Sequence, residues 1–166
     1  MNEKLGSPGS PQPLSGQNDF REAIDTVLRL ATRDVCIFDY NLDGAGYDTA
    51  QRYELLRTFF LSSRAATVRI VVHDPSRLIR YGARLQNLLR QFSANFFIHQ
   101  TNEEAQGVYD PFMVVDTKHY VRRFHYESPQ GVLELHDAAT GELLKRRFEE
   151  IWGASIPAIT ATTLGL

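Results

Sequence analysis

Cysteine is almost absent from the sequence, charges of the two signs nearly cancel, and no long apolar run occurs. The single cysteine, Cys36, excludes an internal disulfide and a cysteine-based metal site, and its apolar neighbours predict a plain buried thiol. With 18 Lys and Arg residues against 20 Asp and Glu, the formal net charge of -2 disfavours broad binding to nucleic acid. No stretch approaches the length of a membrane span and no secretory signal opens the chain, so we expect a cytoplasmic protein without a membrane contact.

The sequence does contain enough apolar material for one folded domain. Of its 166 residues, 43% are hydrophobic, and this content supports a genuine core. Residues 1–17 are rich in Gly, Ser, Pro and Gln and predict a disordered tail, because they bury too little surface to offset the entropy of ordering. We expect the domain to span residues 18–156 and a second tail to follow at residues 157–166.

Hydrophobic periodicity predicts alternating helices and strands after the first tail. Short apolar, β-prone runs predict strands, and apolar residues at helical spacing predict helices between them. The expected helices begin near residue 18 and cover 48–62, 78–92 and 139–152, and the expected strands cover 35–40, 67–72, 95–99, 111–116, 119–126 and 131–136. Helices between strands indicate an α/β layered domain whose mixed sheet is flanked by helices, with antiparallel pairs among the late strands.

One stretch, YDPFMVVD at residues 109–116, keeps the spacing of a known motif and loses most of its chemistry. Together with VCIFDY, TVRIVVHDP and GVLELHDAATGELLKRRFEEIW, it makes residues 20–155 resemble one domain of the phospholipase D-like superfamily. Members of that superfamily carry the motif His-x-Lys-x-x-x-x-Asp on and beside a central strand, with a Gly-Ser pair and an Asn downstream. In those members the His attacks phosphorus, the Lys holds the phosphate, and the Asp supports the site as an outer partner.

Placed on this motif, the sequence has Tyr109 at the His position, Pro111 at the Lys position and Asp116 at the Asp position. Proline has neither a charge nor a donor for a phosphate, and a tyrosine with an ordinary pKa of about 10 is a poor nucleophile without an adjacent base or cation. The downstream stretch KHYVRRFHYESPQG also lacks the Gly-Ser step. The resemblance therefore implies a degenerate, catalytically inactive phospholipase D-like domain that needs no cofactor.

Three functions remain open for such a domain. The first is a noncatalytic binding or interaction module, which recognises a phosphate-containing ligand or another protein. The second is a phosphodiesterase or phosphatidyltransferase that works with replacement residues. The third, which the charge balance disfavours, is a weak nucleic-acid-binding module built on Lys118, Arg122 and Arg123. Because enzymes of the superfamily join two motif copies and this chain holds one domain, the resemblance also implies a homodimer or a partner phospholipase D-like domain.

The residues around the motif provide a candidate anion site, and each has a structural alternative. Arg123 shares a strand face with His119 and His125, so its guanidinium can bind an anion there, but alternation on a solvated face explains the same pattern and is the favoured interpretation. Asp116 ends a buried strand, where a carboxylate most often accepts hydrogen bonds from turn amides. No metal is expected, because about 20 Å of strand separates His119 from His125.

Overall fold

The computed structural model describes residues 10–160 and confirms an α/β domain with a mixed sheet flanked by helices. Within this range the sheet has eight strands: β1 (Gln12–Ser15), β2 (Asp34–Asp39), β3 (Thr67–Val72), β4 (Phe96–Thr101), β5 (Phe112–Val115), β6 (His119–Arg123), β7 (Gln130–Glu134) and β8 (Ser155–Ile159). The described α-helices are α1 (Gln17–Leu30), α2 (Ala50–Ser62), α3 (Ser76–Tyr81), α4 (Ala83–Gln91) and α5 (Ala138–Gly153). None of these helices combines the length and the apolar character that a membrane crossing requires.

The strand order places the change of strand direction at β2. The order is β1-β7-β6-β5-β2-β3-β4-β8, in which β2, β3 and β4 run parallel while β5 runs antiparallel to β2. The parallel strands are joined by helical crossovers, and β5 is joined to β6 by a tight turn, as these two kinds of pairing require. As a result, the carboxyl ends of β2, β3 and β6 and the amino end of β5 meet at one edge of the sheet.

Helices pack on both faces of the sheet. On one face, α1, α2 and α4 contribute Val27, Leu56 and Leu88, which are fully buried. On the other face, α5 contributes Leu144 and Phe148. The central strands are therefore covered on both sides, which explains why their sequences are continuous apolar runs rather than alternating ones.

Both edge strands come from segments that the sequence analysis assigned wholly or partly to tails. Residues 12–15 were expected to belong to a disordered tail, but they form β1 and pair antiparallel with β7. The domain was expected to end at residue 156, but β8 continues to Ile159 and pairs antiparallel with β4. One buried side chain anchors each strand, Leu14 in β1 and Ile159 in β8, and composition alone does not reveal such single anchors. The predictions for residues 1–9 and 161–166 lie outside the described residues.

Proline occurs in both edge strands. Pro13 lies in β1 and Pro157 in β8. An edge strand leaves half of its amides outside the ladder, so proline is tolerated there. Proline at an edge also opposes pairing with further strands, which protects the sheet from aggregation.

The single helix expected at 78–92 is two helices that meet at Gly82. A Cβ atom at this position would lie 2.5 Å from the Leu78 carbonyl oxygen, so a larger residue would collide with the end of α3. The helical periodicity continues through the break, and this is why the sequence analysis did not detect it.

The turn between β5 and β6 is tight and strained. Asp116 and Thr117 adopt φ angles of 53° and 61°, and the Lys118 amide donates to the Val115 carbonyl at 3.1 Å, the pattern of a type I′ turn. A β-branched residue is disfavoured in this left-handed region. Gly141 of α5 packs directly on the turn, since a Cβ atom there would lie 2.1 Å from the Thr117 carbonyl oxygen.

Candidate functional site

The candidate site is the β2–β5 edge, which consists of residues 39–40, 73, 109–111 and 123–126. These residues lie at strand ends or in the adjoining loops. Because β5 is antiparallel to β2, its amino end lies beside the carboxyl end of β2. The edge therefore contains the first two motif positions. Most of the side chains gathered there are aromatic or charged.

Tyr109, which the resemblance aligns with the superfamily's histidine, lies on the surface with 50% of its side chain exposed. Its ring contacts His125 and Tyr126, with centroid distances of 5.6 Å and 6.2 Å. The hydrogen bonds formed among residues 10–160 include none to the Tyr109 hydroxyl group. Within residues 10–160, no base or cation is therefore hydrogen-bonded to this hydroxyl to activate it as a nucleophile.

Aromatic rings fill the space beside Tyr109. Tyr40 and Tyr126 stack with their centroids 4.5 Å apart and 17° between their planes. His125 stacks on Tyr126 at 4.7 Å, and His73 meets the Tyr40 ring edge-on at 5.7 Å. Rings in direct contact at these distances leave no gap for a ligand between them. The stack of Tyr40, Tyr126 and His125 therefore closes this part of the edge.

Pro111, which the resemblance aligns with the superfamily's lysine, is buried beside a cavity of about 30 Å³. Asp39 and Arg123 also line this cavity. A cavity of this size holds about one or two water molecules, which is too little for a phosphate group. The space beside Pro111 is thus largely filled by protein atoms.

Asp39 is the most perturbed acid of the edge. Burial raises the pKa of its carboxyl group to about 6, against the opposing effects of a 2.6 Å hydrogen bond from the Tyr40 amide to Oδ1 and of the Arg123 charge. A carboxyl group with a raised pKa beside a cavity is typical of functional sites. The sequence analysis did not single out Asp39, although its place at the end of a buried strand was a usable signal.

Arg123 is held by protein contacts at the end of β6. Its guanidinium carbon lies 4.5 Å from the centroid of the Phe20 ring, and Nη1 donates a hydrogen bond to the Tyr126 carbonyl oxygen at 3.3 Å. These contacts join α1 to the chain beyond β6. The Arg123 side chain thus stabilises the packing of α1 against the chain beyond β6, and fewer of its N–H groups remain to bind an anion.

The two histidines expected on the face of Arg123 do not both lie near it. His119 begins β6, four residues or about 13 Å from Arg123, and is buried with its Nδ1 accepting the His136 amide at 3.1 Å. His125 lies beyond the end of β6, and its Nδ1 accepts the Glu127 amide at 3.1 Å. Only Arg123 and His125 belong to the edge. Among residues 10–160, no three His, Cys, Asp or Glu side chains are grouped so that they could hold a metal ion.

Asp116 lies at the opposite end of β5, about 17 Å along the chain from Pro111. Its carboxylate accepts hydrogen bonds from the amides of Thr32, Arg33 and Asp34 at 2.8, 2.7 and 3.0 Å, and from the Thr32 hydroxyl at 2.9 Å. Partial burial alone would raise the pKa of Asp116, but these hydrogen bonds outweigh it and hold the pKa below its ordinary value. Asp116 therefore ties the β5–β6 turn to the start of β2. Its role is structural, but the amides that it binds belong to residues 32–34 and not to its own turn.

His73 supports the loop that carries Tyr109. Its Nε2 lies 2.6 Å from the Val108 carbonyl oxygen, and its Nδ1 lies 2.6 Å from the Thr101 hydroxyl. Because a carbonyl oxygen only accepts, Nε2 donates to Val108, and Nδ1 is hydrogen-bonded to the Thr101 hydroxyl. Both nitrogens are thus engaged, so His73 is a scaffold residue of the edge.

Solved structures with the same fold include members of the phospholipase D family. Nuc from Salmonella typhimurium, a phospholipase D family member, has a TM-score of 0.64 at 12% identity over 90% of this chain and 99% of its own. NucT from Helicobacter pylori has a TM-score of 0.59 at 14% identity over 89% of this chain and 98% of its own. TrmBL2, an archaeal chromatin protein whose structure shows a novel mode of DNA binding, has a TM-score of 0.65 at 12% identity over 89% of this chain and only 54% of its own. The class defined by these likenesses is the phospholipase D-like fold.

A family model places the chain more narrowly. It matches residues 16–164, and the chain belongs to this family, described as Domain of unknown function (DUF7931). No curated protein matches the chain.

Proposed function

We propose that this phospholipase D-like domain is a noncatalytic interaction module that binds its partner through the β2–β5 edge. The observation that carries the proposal is the replacement of the superfamily's nucleophile and phosphate-binding positions by Tyr109 and Pro111, beside an aromatic stack and a cavity of about 30 Å³. The edge has lost the groups for phosphoryl transfer, and it retains surface aromatic groups that suit protein contact.

The charges at the edge support a protein partner over a phosphate-containing ligand. Arg147 forms an ion pair with Asp110, and Arg123 braces the chain beyond β6 while facing the Asp39 carboxyl across the small cavity. An incoming phosphate would have to displace these contacts and would approach two acidic side chains. Phosphate recognition at this edge is therefore the weaker form of the proposal.

DNA binding, the activity described for the similarly folded TrmBL2, receives less support from the placement of cations in this chain. Lys118 lies beyond the β5–β6 turn, at the far end of β6 from the edge. Arg122 and Arg123 point to opposite faces of the strand. The three cations of the sequence hypothesis thus form no single phosphate-binding surface.

A second copy of the chain is the partner that we propose. The exposed part of the edge is aromatic, with 50% of Tyr109 and 59% of Phe124 exposed to solvent. Exposed aromatic groups are enriched at protein interfaces because they bury much apolar area with few rotatable bonds. The enzymes that this domain resembles join two motif copies, so the same edge is the natural place for two copies of a single-domain chain to meet.

Sedimentation analysis of the purified protein tests this pairing. We expect a dimer whose dissociation constant rises at least about 10-fold in Tyr109→Ala and in Phe124→Ala, because each removes an aromatic contact from the interface. Leu143→Ala is the matched control, since Leu143 has 58% of its side chain exposed on α5, away from the edge. A monomer at all concentrations, or a dimer that Leu143→Ala weakens as much as the other two variants do, would overturn the assignment.

An activity assay tests the noncatalytic part of the proposal. We expect no turnover of bis(p-nitrophenyl) phosphate, an activated phosphodiester, above that of a Tyr109→Phe variant, because the Tyr109 hydroxyl has no activating partner. Turnover that Tyr109→Phe abolishes would instead establish an enzyme with replacement residues.

A further inference from the structure

A larger cavity, of about 230 Å³, lies beside the edge, between the loop after β2 and the helices after β3. We call it the loop cleft: loop residues 41–49 form one wall, and α3 with the start of α4 forms the other. Both walls follow the carboxyl ends of parallel strands. In open α/β sheets, ligands bind outside these ends where the strand order changes direction, and in this sheet that point is β2.

Two arginines reach the loop cleft from different elements. Arg21 extends from α1, and its Nε donates to the Gly44 carbonyl oxygen at 3.0 Å. Within residues 10–160 the Arg21 side chain forms no other hydrogen bond, so both Nη groups are left for a ligand. Arg77 extends from α3, and its Nε lies 3.0 Å from Oδ1 of Asp43.

The ion pair of Arg77 and Asp43 is easily displaced. The two side chains are 53% and 57% exposed, and such exposed pairs contribute little to stability. An anionic ligand that reaches Arg77 exchanges one weak ion pair for another while also gaining Arg21. Asp43 therefore acts as a stand-in for the anion when the cleft holds no ligand.

Apolar and aromatic side chains line much of the loop cleft, together with the polar residues Asn41, Asp48 and Thr49. The Asp48 carboxylate accepts hydrogen bonds from the Arg84 and Leu85 amides at the start of α4. Leu42, Leu78 and Leu85 line it and are buried, so they form its floor. Tyr81 stands on its rim with 62% of its side chain exposed, and the Arg77 guanidinium carbon lies 5.5 Å from the centroid of the Tyr81 ring. An exposed tyrosine beside a guanidinium offers a surface on which a planar group can stack.

From these features we infer that the loop cleft binds a small organic anion with a planar body. The anionic group contacts Arg21 and Arg77, and the planar body lies over the leucine floor against Tyr81. The cleft is separate from the β2–β5 edge, so this inference does not depend on the pairing of two chains.

Titration calorimetry and thermal unfolding with defined probes test the site. The probes are adenosine 5′-monophosphate and 4-hydroxybenzoate, which carry a phosphate and a carboxylate on a planar body, with adenosine, phenol and inorganic phosphate as controls. We expect at least one of the two planar anions to bind and to raise the melting midpoint by several degrees at saturation. The controls should bind at least about 10-fold more weakly, because adenosine and phenol lack the anionic group and inorganic phosphate lacks the planar body.

Variants of the cleft assign the binding to its residues. Arg21→Gln and Arg77→Gln should each raise the dissociation constant about 10-fold, whereas Asp43→Asn should lower it because the competing carboxylate is gone. Arg57→Gln, a change of an exposed arginine on α2 outside the cleft, is the matched control and should leave binding unchanged. Failure of both planar anions to bind at millimolar concentration, or binding that survives in both cleft arginine variants, would refute the inference.

Discussion

The two ends of β2 use aspartate in opposite ways. At the amino end, Asp116 accepts four hydrogen bonds from residues 32–34, and the pKa of its carboxyl group is held below its ordinary value. At the carboxyl end, Asp39 accepts a hydrogen bond from the neighbouring amide, and burial raises its pKa to about 6. The first carboxylate stabilises the fold, whereas the second is held in an unfavourable state.

This difference bears on the function of the edge. A buried carboxyl group with a raised pKa lowers the stability of the folded protein, and exposed aromatic rings lower its solubility. Proteins tolerate such groups at surfaces that have a function. The amino end of β2 is held by Asp116, whose hydrogen bonds give it a structural role. The carboxyl end lies beside Tyr109 and Pro111, and it has an unfavourable carboxyl group and exposed aromatic side chains. The contrast supports the proposal that the β2–β5 edge is an interaction surface.

Among the substitutions at the two ends of β2, we expect the largest change in stability at Asp116. Asp116→Ala removes the acceptor of four hydrogen bonds and leaves three backbone amides without it, so we expect a loss of about 3 kcal/mol in the free energy of unfolding at pH 7. Because the folded pKa lies below the unfolded value of 3.8, this contribution is present above about pH 4 and is lost as the pH falls through the folded pKa. Urea unfolding at pH 7 and at lower pH measures both effects.

The matched control for this substitution is Asp43→Ala. Asp43 belongs to an exposed ion pair, so its loss should change the free energy of unfolding by less than about 1 kcal/mol. An Asp116→Ala variant that is no less stable than Asp43→Ala would show that the hydrogen bonds at the amino end are not the stabilising feature assigned to it.

At the other end, Asp39→Asn is expected to stabilise the protein. The unfolded carboxyl group ionises near pH 3.8 and the folded one near pH 6, so stability falls as the pH rises through this window and remains lower above it. The neutral amide avoids this cost. Two pKa units correspond to about 3 kcal/mol, and because the side chain is partly exposed we expect a gain of about 1 to 2 kcal/mol at pH 8.

The pH dependence distinguishes this effect from a packing change. The stability difference between Asp39→Asn and the wild type should shrink towards zero as the pH is lowered from 8 to about 4, as measured by urea unfolding. A difference that stays constant over this range would mean that the carboxyl group is not held in an unfavourable charged state, and the contrast between the two ends of β2 would fail.

The sequence predicts the amino end of β2 better than the carboxyl end. A structural role for Asp116 follows from its position after a buried strand, but its partners, residues 32–34, lie 82–84 residues away in the chain and no local pattern identifies them. The stack of Tyr40 and Tyr126 joins residues far apart in the chain, so no local pattern predicts it. The strands of the core are predicted by their apolar runs, whereas β1 and β8 each depend on one buried anchor that composition does not reveal.

The smallest change in stability is expected in the β5–β6 turn, at the amino end of β2, where the backbone of Thr117 is strained. A β-branched residue at φ 61° is disfavoured by about 1 to 2 kcal/mol, and glycine at the same position costs about 0.5 to 1 kcal/mol of additional unfolded-state entropy. Thr117→Gly should therefore raise the free energy of unfolding by about 0.5 to 1 kcal/mol, measured by urea unfolding at pH 7. Lys118→Gly is the control, since Lys118 is exposed and has no positive φ to relieve, so it should lower stability. Equal losses in both variants would show that the turn holds no relievable strain, and the amino end of β2 would then be fully optimised in contrast to the carboxyl end.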